Sequence, residues 1–376
     1  MFMNSIYIST MMVSAGISLF LGLILVFADK FLSPSGESTL TVNSDKMVQV
    51  STGEPLLSAL FARKYFVPSA CGGKGTCGYC KVKLPEMNIP LLPTEKTVLT
   101  ENEIGEGWRL SCQIKVRGDM NVWMPDQYFA IREHEVEIQS SVIIATDTRE
   151  IIMKLAENDK MTFTAGQYIQ VHVPDNGETV YRSYSLASAP ENGQSLTLNV
   201  KLEKGGLAST WLHSLKKGDT LFISGPYGDF QTTDSTREMV MIAGGVGLAP
   251  IISILLDLLK NETGKRVKPK ITLFFKVKTE DEFYYLKLLS ELKAISEAKG
   301  GRPDFTYHLV VSDLPENKNY TKGPTGRITK ILDEHIERFK DSEFYLCGSS
   351  ALVNGTLEYL VCKGIPDERV LFDKFE

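Results

Sequence analysis

SACGGKGTCGYC, residues 69–80, sets three cysteines among glycines in the pattern Cys71-x5-Cys77-x2-Cys80. A fourth cysteine, Cys112, follows in GWRLSCQIKV, with 31 residues between Cys80 and Cys112. Zinc sites usually join two C-x2-4-C pairs, and only Cys77 and Cys80 make one here. Six cysteines in 376 residues are too sparse for a disulfide scaffold. One tight triplet of thiolates with a distant fourth is how a 2Fe–2S cluster is held. The glycines suit that reading. A cluster carries negative charge, and a wrapped loop aims backbone N–H groups at it, which glycine permits without steric cost. Cys347 and Cys362 lie far away in a different kind of sequence and are not read as ligands.

Working upstream, TLTVNSDKMVQV (39–50) reads as a hairpin, and GEPLLSALFARKY (53–65) has the apolar spacing of a helix. SPSGEST (33–39) reads as a linker. Ahead of it, Ile6–Ala28 is an uncharged apolar run. As a helix it covers about 34 Å, enough for a bilayer. The absence of a basic leader segment favours an uncleaved transmembrane anchor over a signal peptide. Lys30 just after the span places the bulk of the chain in the cytoplasm. Ser14, Ser18 and Gly22 share one helix face and suit close packing against another membrane helix.

Downstream, short alternating runs such as YIQVHV, SLTLNVKL and DTLFISG predict an antiparallel β-barrel over about 130–232. From about 236 apolar strand runs alternate with helical patterns, which predicts a parallel, doubly wound α/β sheet. The expected organisation is therefore a multidomain chain. Its parts are a transmembrane anchor at 1–30, an α+β (β-grasp) 2Fe–2S ferredoxin-like domain at 36–128, an antiparallel barrel at 130–232 and an α/β domain at 236–376. A formal net charge of −5 gives no basic surface for nucleic acid.

Two motifs supply the remaining chemistry. YRSYSLAS carries Arg182-x-Tyr184-Ser185 at the end of a predicted barrel strand. A guanidinium fork suits phosphate oxygens, and a phenol offers a flat face with a polar tip. AGGVGLAP follows a strand and opens a helix, with Gly244, Gly245, Gly247 and Pro250 forming a variant dinucleotide loop. Proline is tolerated in the first helical turn.

Together these motifs resemble the ferredoxin–NADP reductase superfamily, and the cysteine segment resembles plant-type and vertebrate-type ferredoxins. The first cysteine gap is one residue longer than in the plant type. The resemblance implies FAD, with Arg182 on the pyrophosphate, Tyr184 stacked on the flavin and Ser185 near flavin N5. It also implies a second phosphate loop at Gly206, Leu207, Ser209 and Thr210, and Val200 and Lys201 along the flavin tail. Cys347 and Gly348 fall where the family places Cys-Gly near the nicotinamide; Ser349 stands in place of its proline. Cys347, with Ser185, is expected to position hydride transfer. Lys276 and Lys278 follow the second sheet strand where the family has glycine and arginine, and Lys278 is a candidate contact to the nicotinamide cofactor. Penultimate Phe375 is similar to the family's C-terminal ring that covers the flavin.

The whole chain resembles the F subunit of the bacterial sodium-translocating NADH:quinone oxidoreductase, a ferredoxin domain fused to a ferredoxin–NADP-reductase-like module. That resemblance implies an enzyme passing hydride from NADH to FAD and single electrons to a 2Fe–2S cluster. From there they would pass to integral membrane subunits of a quinone reductase complex. It implies a single-pass protein of the bacterial inner membrane with cytoplasmic soluble domains. Two alternatives differ in class: a membrane-anchored reductase feeding a mono- or dioxygenase, and an electron carrier whose flavin domain has decayed. The resemblance places oxygenase reductases mostly as soluble chains, so the anchor argues against the first, and the intact flavin and glycine motifs argue against the second.

Overall fold

The computed structural model describes residues 2–32, 36–85, 89–191, 193–260, 270–300, 303–312 and 320–375. The chain forms two compact units, Met1–Arg63 with Cys80–Pro125, and Lys64–Tyr79 with Asp126–Glu376.

The first unit begins with helix α1 (Phe2–Leu32). Strands β1 (Glu37–Val42) and β2 (Lys46–Ser51) form the predicted hairpin, antiparallel with Leu40 opposite Val48. Helix α2 (Leu56–Ala62) buries Leu56, Leu57, Leu60 and Phe61, the spacing read from the sequence. Short strands β3 (Lys81–Lys83) and β4 (Trp108–Leu110) pair antiparallel, with the small helices α3 (Pro93–Lys96) and α4 (Glu101–Gly105) between them. Strand β5 (Met120–Val122) returns parallel to β1. Alternation puts Leu40 and Val42 of β1 inward, where they are fully buried.

The expected transmembrane span over Ile6–Ala28 is not carried through. Among the described residues no helix is long and apolar enough to cross a membrane. Within α1 the described side chains are those of residues 11–24, 26 and 27. The side chains at both ends of the expected span lie outside the described residues.

The second unit contains two sheets. One is six-stranded and antiparallel, in the order β10-β7-β6-β11-β8-β9. Its strands are β6 (Arg132–Ala145), β7 (Thr148–Leu155), β8 (Tyr168–Asp175), β9 (Glu178–Ser185), β10 (Ser195–Lys201) and β11 (Thr220–Tyr227), and helix α5 (Leu207–Ser214) follows β10. An isolated bridge between Leu186 and Leu198 links the chain just past β9 to β10, the opposite edge. The other sheet is five-stranded and wholly parallel, in the order β14-β13-β12-β15-β16. It comprises β12 (Met239–Gly244), α6 (Leu248–Leu259), β13 (Lys270–Val277), α7 (Leu286–Ala298), β14 (Asp304–Val311), α8 (Ile328–Asp333), α9 (Ile336–Phe339), β15 (Glu343–Ser349), α10 (Ser350–Cys362) and β16 (Val370–Phe375).

The continuous apolar run of β12 follows from burial on both faces. Met239, Met241 and Ala243 join the core under α6 and α7, while Val240 and Ile242 join the core with Ile331, Phe339 and Leu360. Strand order reverses between β12 and β15, and such a switch point opens the crevice where α/β sheets bind ligands.

Candidate redox site

The four candidate cluster ligands divide between the units: Cys71 and Cys77 in the second, Cys80 and Cys112 in the first. Among the described residues no three His, Cys, Asp or Glu side chains converge on a point that would hold one metal ion. A 2Fe–2S cluster makes a different demand, two thiolates for each of two irons. Cys71 and Cys77 are the candidate pair in the second unit. Their thiols share a hydrogen bond, and backbone N–H groups of Thr76 and Cys77 also reach Cys71. That bond from Cys77 holds Cys71 well below the ordinary thiol range. The loop achieves this through left-handed backbone at Gly72, Gly73, Gly75 and Gly78, with φ between 63° and 90°.

In the first unit the Cys80 carbonyl accepts from Ser111 N at 2.8 Å and Ser111 Oγ at 3.0 Å, which sets the neighbour of Cys112 beside Cys80. Gln113 Nε2 donates to Cys112 Sγ at 3.5 Å. Glu95 braces this strand. Its fully buried carboxylate accepts from Arg109 Nε and Nη2 and from the amides of Leu92 and Leu110. Burial pushes the Glu95 carboxyl up, but Arg109 and the two amides outweigh it and hold it below the usual carboxylate range. Sequence reading missed this network, because a buried glutamate has no local signature.

In the second unit, β9 carries the flavin motif and pairs with β8, Tyr168 opposite Ser185 and Val171 opposite Arg182. Segment Lys64–Tyr79 packs on this sheet. Lys64 Nζ lies 3.0 Å from Glu133 Oε2, and the Phe66 and His172 rings are 6.0 Å apart. Ala70, Cys71 and Cys77 share a cavity of about 100 Å³ with Ser185, Asp373 and Phe375. The phenol oxygen of Tyr168, another lining residue, is buried without a partner. An orphaned donor at a cavity beside the motif serine fits a flavin's polar edge.

Ser185 also meets a residue the sequence reading passed over. Asp373 is buried, and burial raises its carboxyl to about 6 although the Ser185 hydroxyl and Lys374 N–H bond to it. The parallel β15–β16 register sets Asp373 beside Cys347 and Phe375 beside Ser349. Burial and the Asp373 charge push the Cys347 thiol well up. Ser185, Cys347 and Asp373 are thus gathered from three strands. The available signal was the acid two places before Phe375 in the terminal FDKFE. A larger cavity of about 740 Å³ adjoins, sharing Tyr79, Tyr168 and Asp373 with the smaller one.

The candidate second phosphate loop has local constraints. Gly206 caps α5, and Ser209 Oγ accepts from Glu203 N at 3.1 Å. Thr210 N donates to the Gly206 carbonyl at 3.1 Å. Val200 is buried, and its carbonyl already accepts from His213 Nε2 at 2.9 Å. Lys201 pairs with Asp147 at 3.3 Å, and Leu207 is exposed.

The glycine loop after β12 opens α6 as predicted, with Pro250 in its first turn. A Cβ on Gly247 would fall 2.7 Å from Gly348 N, and one on Gly348 would fall 3.1 Å from Gly244 Cα. The loops after β12 and β15 therefore meet at the switch point only because these positions lack side chains. Gly245 is left-handed at φ 54°, and its carbonyl accepts from Tyr284 Oη at 3.2 Å. Ser349 caps α10 by accepting from Leu352 N, a local reason for serine there. Lys278 N donates to Glu282 Oε2 at 3.1 Å.

Comparison with known proteins agrees with this layout. The chain matches the 2Fe-2S iron-sulfur cluster binding domain over residues 40–117, the oxidoreductase FAD-binding domain over 135–232 and the oxidoreductase NAD-binding domain over 241–358. Among solved structures it resembles the cytochrome P450 reductase GcoB of Amycolatopsis, at 27% identity and a TM-score of 0.68, covering 90% of this chain and 98% of that one. The ferredoxin reductase of a carbazole 1,9a-dioxygenase, at 22% identity and a TM-score of 0.66 over 91% of this chain and 99% of that one, shares the fold. The F subunit of the Na(+)-translocating NADH-quinone reductase of Neisseria gonorrhoeae is 34% identical over 96% of both chains. Its counterpart in Actinobacillus succinogenes is 32% identical over 99% of this chain and all of that one. With three matched domains in this order and a full-length relationship above 30%, the chain belongs to the family of Na(+)-translocating NADH-quinone reductase F subunits.

Proposed function

We infer that the chain takes electrons from NADH through FAD to a 2Fe–2S cluster, as one component of a sodium-translocating NADH–quinone reductase. The observation that carries this reading is one cavity lined by Ser185, Asp373, Phe375, Cys71 and Cys77, which supports a flavin edge close to the cluster loop.

When bound, FAD accepts the two electrons of a hydride and releases them singly, which matches a two-electron donor to a one-electron acceptor. The residues supply position. Arg182 offers its fork to the pyrophosphate, with Gly206, Leu207, Ser209 and Thr210 as the second phosphate contact. Tyr184 presents a ring face, and Phe375 closes the opposite side. Val200 and Lys201 contact the flavin tail through backbone. Gly244, Gly245, Gly247, Pro250 and Gly348 cradle the dinucleotide, with Lys278 at the strand end and Cys347 beside the nicotinamide. Asp373 accepts a hydrogen bond from the Ser185 hydroxyl and orients its Oγ. Cys71, Cys77, Cys80 and Cys112 would hold the 2Fe–2S cluster, which supplies a one-electron acceptor.

The six-stranded sheet, closed by the Leu186–Leu198 bridge, is read as the FAD barrel, with domain limits at 1–30, 36–128, 130–232 and 236–376. Helix α1 is the proposed contact to integral membrane subunits of the bacterial inner membrane. Its described apolar side chains, Met11, Leu19 and Phe27 among them, are exposed. The remainder of the chain would be cytoplasmic.

Anaerobic NADH titration of the detergent-solubilised protein, followed by optical and EPR spectra, tests the electron path. Flavin bleaching followed by a reduced-cluster signal is expected. Flavin bleaching with no cluster reduction would overturn the order proposed.

A further inference from the structure

One atom of the cluster loop meets both β8 and β9. The Ser69 carbonyl accepts from Gln170 Nε2 at 2.9 Å and from Ser183 Oγ at 3.1 Å. Gln170 and Ser183 stand opposite each other on β8 and β9. Gln170 is fully buried, and its neighbours two places along β8, Tyr168 and His172, are buried too. A buried amide is costly unless it is bonded. This one bonds to Ser69 through Nε2, while its Oε1 has no partner. An apolar side chain would fill the sheet position at lower cost, so the amide is kept for its hold on Ser69 rather than for the sheet.

The spacing gives that hold a direction. Ser69 is two residues before Cys71, and Ser183 is two residues before Ser185 and lies inside the Arg182-x-Tyr184 motif. Ser183, Ser185, Cys71 and Cys77 line the same cavity. At Gly72 the loop lies so close to Arg182 that a Cβ would fall 2.8 Å from Cζ.

We propose that Gln170 and Ser183 are positioning residues for electron transfer, clasping Ser69 so that Cys71 and Cys77 keep a set place against the flavin strand. The proposal rests on the reading of these cysteines as cluster ligands. One electron moves per transfer, the flavin is oxidised and the cluster reduced by one equivalent each, and no bond forms or breaks.

The test uses the full-length protein with FAD and cluster bound, as Gln170→Leu and Ser183→Ala variants. Hydrogen–deuterium exchange reports on residues 66–78, and stopped-flow absorbance separates flavin reduction from cluster reduction. Gln170→Leu is expected to speed exchange of that segment by about tenfold. It should measurably slow flavin-to-cluster transfer, since a loop displaced from the flavin strand lengthens the path the electron must tunnel. NADH-to-flavin reduction and the cluster EPR spectrum should not change in Gln170→Leu. Wild-type exchange and transfer rates in both variants would overturn the proposal, and so would faster exchange with unchanged transfer. If Gln170→Leu does not fold, Ser183→Ala, which removes only a hydroxyl, decides by itself. If the wild-type protein binds no iron through Cys71 and Cys77, the ligand reading has failed, and the exchange of residues 66–78 still decides whether the clasp exists.

Discussion

Gly72 and Arg182 fit together only because residue 72 has no side chain: a Cβ there would fall 2.8 Å from Cζ of the guanidinium. Arg182 is therefore shared between the cluster loop and the proposed flavin pyrophosphate site. Gly72 also has φ +63°, a conformation that costs an L-residue about 1–2 kcal/mol. Gly72→Ala should displace Arg182 and lower FAD content per chain, as Arg182→Ala should. Absorbance of the purified protein at flavin wavelengths measures it, and full occupancy in both variants would refute the shared role.

Cys112→Ala should abolish the cluster's visible absorption while NADH-dependent flavin reduction continues. Iron analysis alongside a single-turnover flavin assay checks both halves. Unchanged iron would remove Cys112 from the ligand set.

Asp373 gives a pH dependence. Its carboxyl is raised from 3.8 to about 6, chiefly by burial. The folded state therefore binds the proton more tightly than the unfolded chain. Its contribution to stability is fully present below about 4 and is lost as pH rises through about 6. The loss is roughly 3 kcal/mol at about 1.4 kcal/mol per unit. Asp373→Asn removes the buried charge, so its melting temperature relative to wild type should climb between pH 4 and 7 and then level off. A difference that stays flat across that range would contradict the assignment.

Arg109→Ala should leave the buried Glu95 carboxylate without its main partner. Breaking such a pair costs about 3–5 kcal/mol. Glu95 also bonds the Leu110 amide, two residues before Cys112. Cluster loss should therefore precede flavin loss in a denaturant titration followed by visible absorption, and simultaneous loss would count against a local role.

Deleting residues 1–32 should abolish co-sedimentation with membranes while NADH-to-ferricyanide turnover persists. Continued sedimentation with membranes would show that α1 is not the attachment.

Elements and motifs were legible in the sequence because their signals are local. The β12 run and the Gly245-x-Gly247-x-x-Pro250 loop sit within one strand–turn–helix unit, so spacing along the chain is spacing in the fold. The cysteine loop is similar, since a run of glycines and thiols reports its own backbone demands. The apolar run at Ile6–Ala28 was legible as composition and lies within helix α1, while among the described residues no helix is long and apolar enough to cross a membrane.

Asp373, Gln170, Ser183 and Glu95 could not be read that way. Each is an ordinary polar residue whose meaning comes from a partner distant in sequence: Asp373 beside Cys347 through strand register, Gln170 and Ser183 at Ser69, Glu95 at Arg109. The sequence by itself determined the order of elements and the motifs that point to FAD, nicotinamide and iron–sulfur binding, because periodicity and local turn chemistry are written into neighbouring residues. Only the tertiary structure decided that Ser185, Asp373, Cys71 and Cys77 share one cavity. Strand pairing and packing bring together side chains whose separation along the chain carries no information about their distance in space.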